Sequence, residues 1–188
     1  MFDVKRLPQR ALCDTGFWIR ALGDRPDDTR SPDAVSFFAE MTRHGRELLI
    51  ATPTLAELRR GNPKLAMPST PSVVVVAFDR LAAEVLGERF KASVIKQQKL
   101  KTGYEKGYIQ FDAMIVACAI RHKADCIVSF DNGVGADIDD LEIPVHNIRH
   151  FRLPLFPEVE DPNLAARLRE VGVAGPGDTA GKRPDKKR

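Results

Sequence analysis

Four acidic residues that lie far apart in the chain are the residues best suited to chemistry. They are Asp14, Glu57, Asp112 and Asp131, and each stands beside an apolar run or at the expected start of a helix. In an open α/β sheet, ligands bind in the crevice outside the carboxyl ends of the strands, where folding would bring these carboxylates together. Clustered carboxylates repel one another, and they stay ionised near neutral pH only beside a cation. Because hard oxygen ligands favour Mg²⁺ or Mn²⁺, the four acids predict one divalent-metal site.

Short apolar strands that alternate with helical segments surround these acids. Strands are expected at 11–14, 48–51, 73–76, 125–129 and 144–148. Helices are expected at 15–22, 33–44, 54–61, 79–90 and 112–122, with loops at 61–72 and 103–107. Such alternation predicts a three-layer α/β/α fold, in which helices cover both faces of a central, mainly parallel sheet.

The length and composition indicate one main domain. The 188 residues, 43% of them hydrophobic, suffice for a single well-packed core. We expect a folded domain at 1–150, a C-terminal extension at 151–172 that packs on or near it, and a disordered basic tail at 173–188. No apolar run is long enough to span a bilayer, and the N-terminus lacks a signal-peptide pattern. These features predict a cytoplasmic protein without a membrane partner, whose three cysteines are reduced core residues.

Basic residues are concentrated in two parts of the chain. The net charge of +3 equals that of residues 173–188, which contain five Lys or Arg and two Asp, so the remainder is formally neutral. Within that remainder, residues 89–106 contain six Lys or Arg and only one acid, Glu105. A basic strip on a neutral body attracts a polyanion such as RNA, although lysine runs are usually the solvated face of a helix.

Four strings of the sequence together resemble the PIN domain, and most of all the toxin ribonucleases of bacterial VapBC-type toxin–antitoxin pairs. The strings are ALCDTGFW, TLAELRRG, FDAMIVACA and ADCIVSFD, and the resemblance covers about residues 8–150. It implies an α/β/α fold and an Mg²⁺- or Mn²⁺-dependent endoribonuclease. Proteins of this kind are often dimeric and are inhibited by a small antitoxin. The resemblance therefore implies RNA as the substrate, with an antitoxin and a second copy of the chain as partners.

The resemblance assigns roles to particular positions. Asp14 and Asp112 become the principal direct metal ligands, and Asp131 a ligand that binds directly or through water. Glu57 is either a further ligand or the base that orients the attacking water. Thr15 and Ser129 take the positions of supporting hydroxyl groups. Gly16 departs from the pattern, since a polar residue such as Asn or Ser is frequent there.

The basic side chains would bind the RNA backbone without reading its sequence. The candidates are Arg59, Arg60, Lys96, Lys99, Lys101 and Lys106. Tyr104 and Tyr108 could stack on bases, or be ordinary packing residues. Phe17, Trp18, Phe37 and Phe38 could line a groove for an antitoxin helix, or belong to the core.

Each acid also has a structural explanation when it is taken alone. Asp14 fits a helix cap, Glu57 a capping box with Thr54, Asp112 the positive end of its helix, and Asp131 a turn. The occurrence of all four in the order of the family favours the metal site. The alternative function is a catalytically silent PIN-like module that binds RNA or protein.

Overall fold

A computed structural model describes residues 7–22, 31–91, 93, 95–96, 99–100, 103, 106–130 and 143–148. Its strands are β1 (Arg10–Cys13), β2 (Glu47–Ala51), β3 (Val73–Val76), β4 (Cys126–Ser129) and β5 (Val145–Asn147). Its main helices are α1 (Thr15–Ala21), α2 (Ser31–Arg43), α3 (Thr52–Gly61), α4 (Arg80–Arg89) and α5 (Lys106–Arg121). The strands form one sheet in the order β3-β2-β1-β4-β5, and every neighbouring pair is parallel.

The order of the strands creates a crevice beside β1. The chain moves outward from β1 through β2 to β3, then returns to the opposite side of β1 with β4 and β5. The direction of winding therefore reverses between β1 and β4. In doubly wound sheets, the carboxyl ends of two such strands border the place where ligands bind.

Both faces of the sheet are buried, as the three-layer prediction requires. On β1, Ala11 and Cys13 belong to one hydrophobic cluster and Leu12 to the other, because successive side chains alternate between faces. The helices α1 and α2 supply the first cluster with four of its five aromatic residues, and α4 and α5 contribute to the second. The α/β/α architecture predicted from the sequence is confirmed.

The four aromatic residues considered for a partner groove lie in the core. Phe17, Trp18, Phe37 and Phe38 are fully buried. The ring of Phe17 meets those of Trp18 and Phe37 edge to face, with centroids 5.5 Å and 5.8 Å apart. This geometry is a favourable one for packed aromatic rings. The alternative that they form an exposed groove is wrong.

Helix α3 begins earlier than the sequence predicts. It starts at Thr52 with Ala51 as its N-cap residue, and Pro53 lies in its first turn, where a missing N–H costs least. Thr54 is therefore inside the helix, and the capping box between Thr54 and Glu57 is wrong.

Helix α5 also begins earlier, at Lys106 rather than Asp112. Ile109, Ala113 and Val116 are buried at helical spacing, so packing extends the helix through Gly107, which was expected in a loop. Asp112 consequently lies in the second turn, and its placement at the positive end of a helix is wrong.

Other expectations concern residues that the structure does not describe. The turn at Asp131, the extension at 151–172 and the tail at 173–188 lie outside the described residues. Within the described part of the chain, none of the helices has the length and apolar character needed to cross a membrane.

Candidate functional site

Asp14 lies at the carboxyl ends of the neighbouring strands β1 and β4, where the direction of winding reverses. It follows the last residue of β1 and is the N-cap of α1, where its Oδ1 accepts a hydrogen bond of 2.6 Å from the Phe17 amide. Its own amide donates to the carbonyl oxygen of Val128 on β4, at 3.1 Å. The residue is only 6% exposed. Its carboxylate is thus held in one orientation by the strand, the helix and the neighbouring strand.

Ser129 holds the second oxygen of the Asp14 carboxylate. It is the last residue of β4 and is fully buried, and its hydroxyl donates a hydrogen bond to Asp14 Oδ2. Cys13 pairs with Val128 in the parallel register, so the residues that follow them, Asp14 and Ser129, lie side by side. The structure therefore brings Ser129, predicted as a supporting hydroxyl, directly to Asp14.

Glu57 reaches the same region from a different element. It is half-buried in α3, which packs against α1, and its Oε2 accepts a hydrogen bond from the hydroxyl of Thr15. Thr15 is the residue after Asp14, so the fold brings Glu57 to the residue next to Asp14, although the two acids are 43 positions apart in the sequence. The structural use of Glu57 is this contact between helices rather than a local cap.

The other two predicted acids, Asp112 and Asp131, are related to this region only through neighbouring elements of the fold. Asp112 is half-buried on α5, and α3 packs against both α1 and α5. Asp131 follows Ser129 by two positions but lies outside the described residues. Among the residues that are described, no group of three or more His, Cys, Asp or Glu side chains is arranged to hold a metal.

Arg20 is a further residue of this region that the sequence reasoning missed. Its Nη1 donates to the carbonyl oxygen of Gly16 at 2.9 Å, and its Cζ lies 4.7 Å from the ring centroid of Phe130. A Cβ atom on Gly16 would lie 3.0 Å from Arg20 Nη1 and 3.5 Å from Asp14 Oδ1. The guanidinium and the carboxylate thus border the same small space. The only signal in the sequence is helical spacing, since Arg20 follows Gly16 by four residues.

The proposed RNA-binding residues are exposed wherever their side chains are described. Arg59 and Arg60 lie in the last turn of α3, and Arg59 Nη1 donates to the Pro63 carbonyl oxygen at 3.0 Å. Lys96 and Lys99 are exposed. Lys106 is the first residue of α5, and its side chain, like all of Lys101 and Tyr104, lies outside the described residues. Tyr108, on α5, is 67% exposed.

The three cysteines are free and buried, as predicted. Desolvation by burial raises the pKa of the Cys13 thiol well above its usual value, and the charges of Cys126 and Asp14 add to this effect. Desolvation is also the main cause that raises the pKa of Cys118 and of Cys126 to about 12. Thiols of this kind remain protonated near neutral pH, which agrees with their buried positions in the core.

The side chains near Asp14 fit a divalent cation by their chemistry. Carboxylate oxygens are the ligands that Mg²⁺ and Mn²⁺ prefer, and hydrogen bonds from hydroxyl groups commonly orient such ligands. Ser129 bonds Asp14 and Thr15 bonds Glu57 in this way. The two acids and their hydroxyl partners are consistent with a metal site, for which the described residues supply only part of the ligands.

The fold is thus a parallel sheet between two layers of helices, with an aspartate where the direction of winding reverses. The family model of the PIN domain matches residues 11–139, more than half of the chain, and the protein therefore belongs to the PIN domain family.

One solved structure that resembles this fold is that of VapBC2 from Rickettsia felis, bound to a DNA fragment from its promoter. The sequence identity is 17% and the TM-score 0.49, and the match covers 73% of this chain and 97% of that chain. Among curated proteins, no significant match to the chain is found.

Proposed function

We propose that the protein is a divalent-metal-dependent endoribonuclease and the toxin of a type II toxin–antitoxin pair. The observation that carries the proposal is that Glu57 of α3 is bonded to Thr15, the residue after Asp14, at the reversal point of a PIN-family sheet. Each of the two carboxylates is bonded by a hydroxyl group, Ser129 for Asp14 and Thr15 for Glu57. The cap of α1 uses the bond from the Phe17 amide to Asp14, so capping does not explain the bonds from the two hydroxyl groups.

The four acids form the catalytic site in this proposal. Asp14, Asp112 and Asp131 would hold Mg²⁺ or Mn²⁺, and Glu57 would be either a further ligand or the base that orients the attacking water. A divalent ion held there would lower the pKa of a bound water, neutralise the phosphate charge and stabilise the leaving oxygen. Ser129 and the Phe17 amide keep the Asp14 carboxylate in one orientation, which places a ligand without a rearrangement during the reaction.

Glu57 is placed to handle the proton of the attacking water. Its Oε2 accepts a hydrogen bond from the hydroxyl of Thr15, the residue after Asp14, which restrains the direction of the carboxylate. In the hydrolysis, the oxygen of water bonds to phosphorus and the phosphodiester P–O bond breaks. One proton of the water goes to a base such as Glu57, and the departing ribose oxygen takes up a proton.

The basic residues of α3 and of the segment before α5 bind the RNA backbone. Arg60 follows Glu57 by three positions in α3 and so lies on the same side of the helix, which would direct the backbone toward the acids. Arg59, Lys96, Lys99, Lys101 and Lys106 would add charge along the path. Contacts of this kind make binding weaken steeply with salt.

The toxin role is proposed from the resemblance of the four strings to toxin ribonucleases. A small antitoxin would present an apolar helix together with a basic group that reaches the acidic site. Because Phe17, Trp18, Phe37 and Phe38 are in the core, such a helix would have to dock on other residues. A homodimer and a cytoplasmic location are part of the same proposal.

Measurements of cleavage and of RNA binding on the same variant test the enzyme against the silent module. We would compare wild type and Asp112→Asn on end-labelled structured RNAs in Mg²⁺ or Mn²⁺, with Asp33→Asn, on the first turn of α2, as the matched control. Loss of cleavage with RNA binding retained in Asp112→Asn alone supports a nuclease. RNA binding without cleavage by the wild type would identify the module instead.

A further inference from the structure

Tyr108 is an aromatic residue that lies outside the core. Its side chain is 67% exposed on α5 and belongs to neither of the two hydrophobic clusters. In the described part of the chain, three other large apolar side chains are exposed: Val75, Leu81 and Leu100. Single exposed apolar residues are normal on a protein surface, so exposure alone assigns no function. The position of Tyr108 on its helix is what distinguishes it.

Tyr108 lies one turn before Asp112 on the same side of α5. Residues four apart on a helix are neighbours, with Cβ atoms about 5–6 Å apart. Along this side of α5, exposure falls from the exposed Tyr108 through the half-buried Asp112 to the buried Ile115. This side of the helix therefore runs from solvent, past the predicted third acid, into the core. Tyr108 is thus the exposed neighbour of a proposed catalytic acid.

The segment of the chain that precedes Tyr108 is basic. Lys96 and Lys99 are exposed, and Lys106 is the first residue of α5. Along the whole of α5 the only acidic residue is Asp112. Positive charge concentrated in one segment attracts a polyanion. Lysines together with an exposed aromatic ring are the combination with which proteins hold single strands, the charges against the backbone and the ring against a base.

We propose that Tyr108 stacks on an unpaired base of the RNA, in a nucleotide at or next to the scissile bond, and that the substrate is therefore a single-stranded segment. The role rests on the proposed nuclease function. A base offers its face to a side chain only when it is unstacked, so a ring at this position selects loops, bulges and ends over duplex. Every base has a π face, so stacking adds affinity with little sequence preference.

Four substitutions at Tyr108 test the stacking. RNA affinity would be measured in EDTA, where the proposed nuclease is inactive, on a single-stranded oligoribonucleotide and on the same strand paired with its complement. We expect Tyr108→Ala to bind the single strand about 10-fold more weakly, within the range for loss of one stacked base, and the duplex as wild type does. Tyr108→Phe and Tyr108→Trp keep an aromatic face and should bind like wild type. Tyr108→Leu keeps apolar area without that face and should bind like Tyr108→Ala.

Tyr108→Trp also gives a direct signal. The native Trp18 is fully buried, whereas the introduced indole stands at an exposed position, and stacking on a base quenches its fluorescence. The single strand should therefore quench the emission of Tyr108→Trp, and the duplex much less. The matched control is Leu81→Trp, at an exposed position of α4. Equal quenching of the two variants would overturn the proposal.

The salt dependence of binding separates stacking from charge. Stacking releases no counterions, so Tyr108→Ala should lower the affinity by the same factor at every salt concentration. Lys99→Ala removes a positive charge instead, and should reduce the slope of log affinity against log salt by about 1. Leu81→Ala should change neither quantity. All three side chains are exposed, so the melting temperatures should stay close to wild type. A change of slope in Tyr108→Ala like that of Lys99→Ala would contradict stacking.

The outcomes distinguish this inference from the proposed function. Equal single-strand affinity in wild type and Tyr108→Ala would reject the role of Tyr108, leave the nuclease intact and leave the exposed ring to a protein partner. Cleavage confined to paired segments of RNA would reject it as well. A wild type that binds single strands through Tyr108, but cleaves none in Mg²⁺ or Mn²⁺, would support the stacking and reject the nuclease.

Discussion

At the scale of single residues, the site depends on how the Asp14 carboxylate is held. One oxygen accepts from the Phe17 amide and the other from the Ser129 hydroxyl, so groups from α1 and β4 both orient it. Asp14 and Ser129 were predicted from the sequence because the residues around them resemble those of the PIN domain. The sequence did not reveal Arg20, because one cation in a helix has no distinctive pattern until the neighbouring strand is in place.

Ser129→Ala should weaken the binding of Mn²⁺ by about 10-fold, the lower end of the usual effect when a hydrogen bond to a metal ligand is removed. Without the hydroxyl, the Asp14 carboxylate can rotate away from the orientation that suits a metal. Isothermal titration of the variant and of Ser36→Ala, a serine buried in α2, checks this. The same affinity in all three proteins would show that Ser129 does not orient a ligand.

The buried thiols should be unreactive in the folded protein. The folded-state pKa of Cys118 and Cys126 is raised from 9.0 to about 12, so the folded state holds these protons more tightly than the unfolded state. Their contribution to stability is complete below pH 9.0 and is lost as the pH rises toward 12. Iodoacetamide at pH 8 should modify the three cysteines only when denaturant is added. Rapid labelling without denaturant would contradict the buried placement.

At the scale of elements, the strands were easier to predict than the starts of the helices. Apolar runs bounded by polar residues predicted each strand to within a residue or so, because strands that are buried on both faces consist almost entirely of apolar residues. The starts of α3 and α5 were misplaced. In the first case Thr54-x-x-Glu57 imitates a capping box. In the second, Gly107 suggests a loop that burial of Ile109 overrides. The pattern Thr54-x-x-Glu57 also assigned Glu57 to a local cap, so the contact between Thr15 and Glu57 was not predicted.

Asp125→Ala should destabilise the start of β1 without affecting the site. Asp125 Oδ2 accepts from the amides of Gln9 at 2.7 Å and Arg10 at 2.9 Å, at the amino ends of the strands. We expect the free energy of unfolding in urea to fall by about 1 kcal/mol, since the carboxylate is exposed and water partly replaces these bonds. Asp125→Asn, which keeps an acceptor oxygen, should lose less. Equal losses would show that the charge and not the hydrogen bonding matters.

At the scale of the whole molecule, the parallel sheet creates the site by its winding. The fold class followed from the alternation of strands and helices, and so did the expectation that acids at strand ends would converge. The order of the strands did not follow from the sequence, because it depends on packing between distant segments. That order is what brings Ser129 of β4 beside Asp14 after β1.

Mn²⁺ should raise the melting temperature of the wild type and have much less effect on Asp14→Asn. A ligand that binds only the folded state stabilises it by about 2.7 kcal/mol at 100 times its dissociation constant. Thermal unfolding with and without the metal measures the difference. Equal shifts in both proteins would place the bound metal elsewhere.

The most direct test of the central claim is metal-dependent RNA cleavage by wild type and Asp14→Asn, purified in parallel. End-labelled structured RNAs would be incubated with EDTA, Mg²⁺ or Mn²⁺. We predict discrete cuts by the wild type in either metal, none in EDTA, and none with Asp14→Asn, because that variant lacks the central carboxylate. Cleavage of the same bonds at the same rate by Asp14→Asn, or by the wild type in EDTA, would contradict a nuclease site built on Asp14.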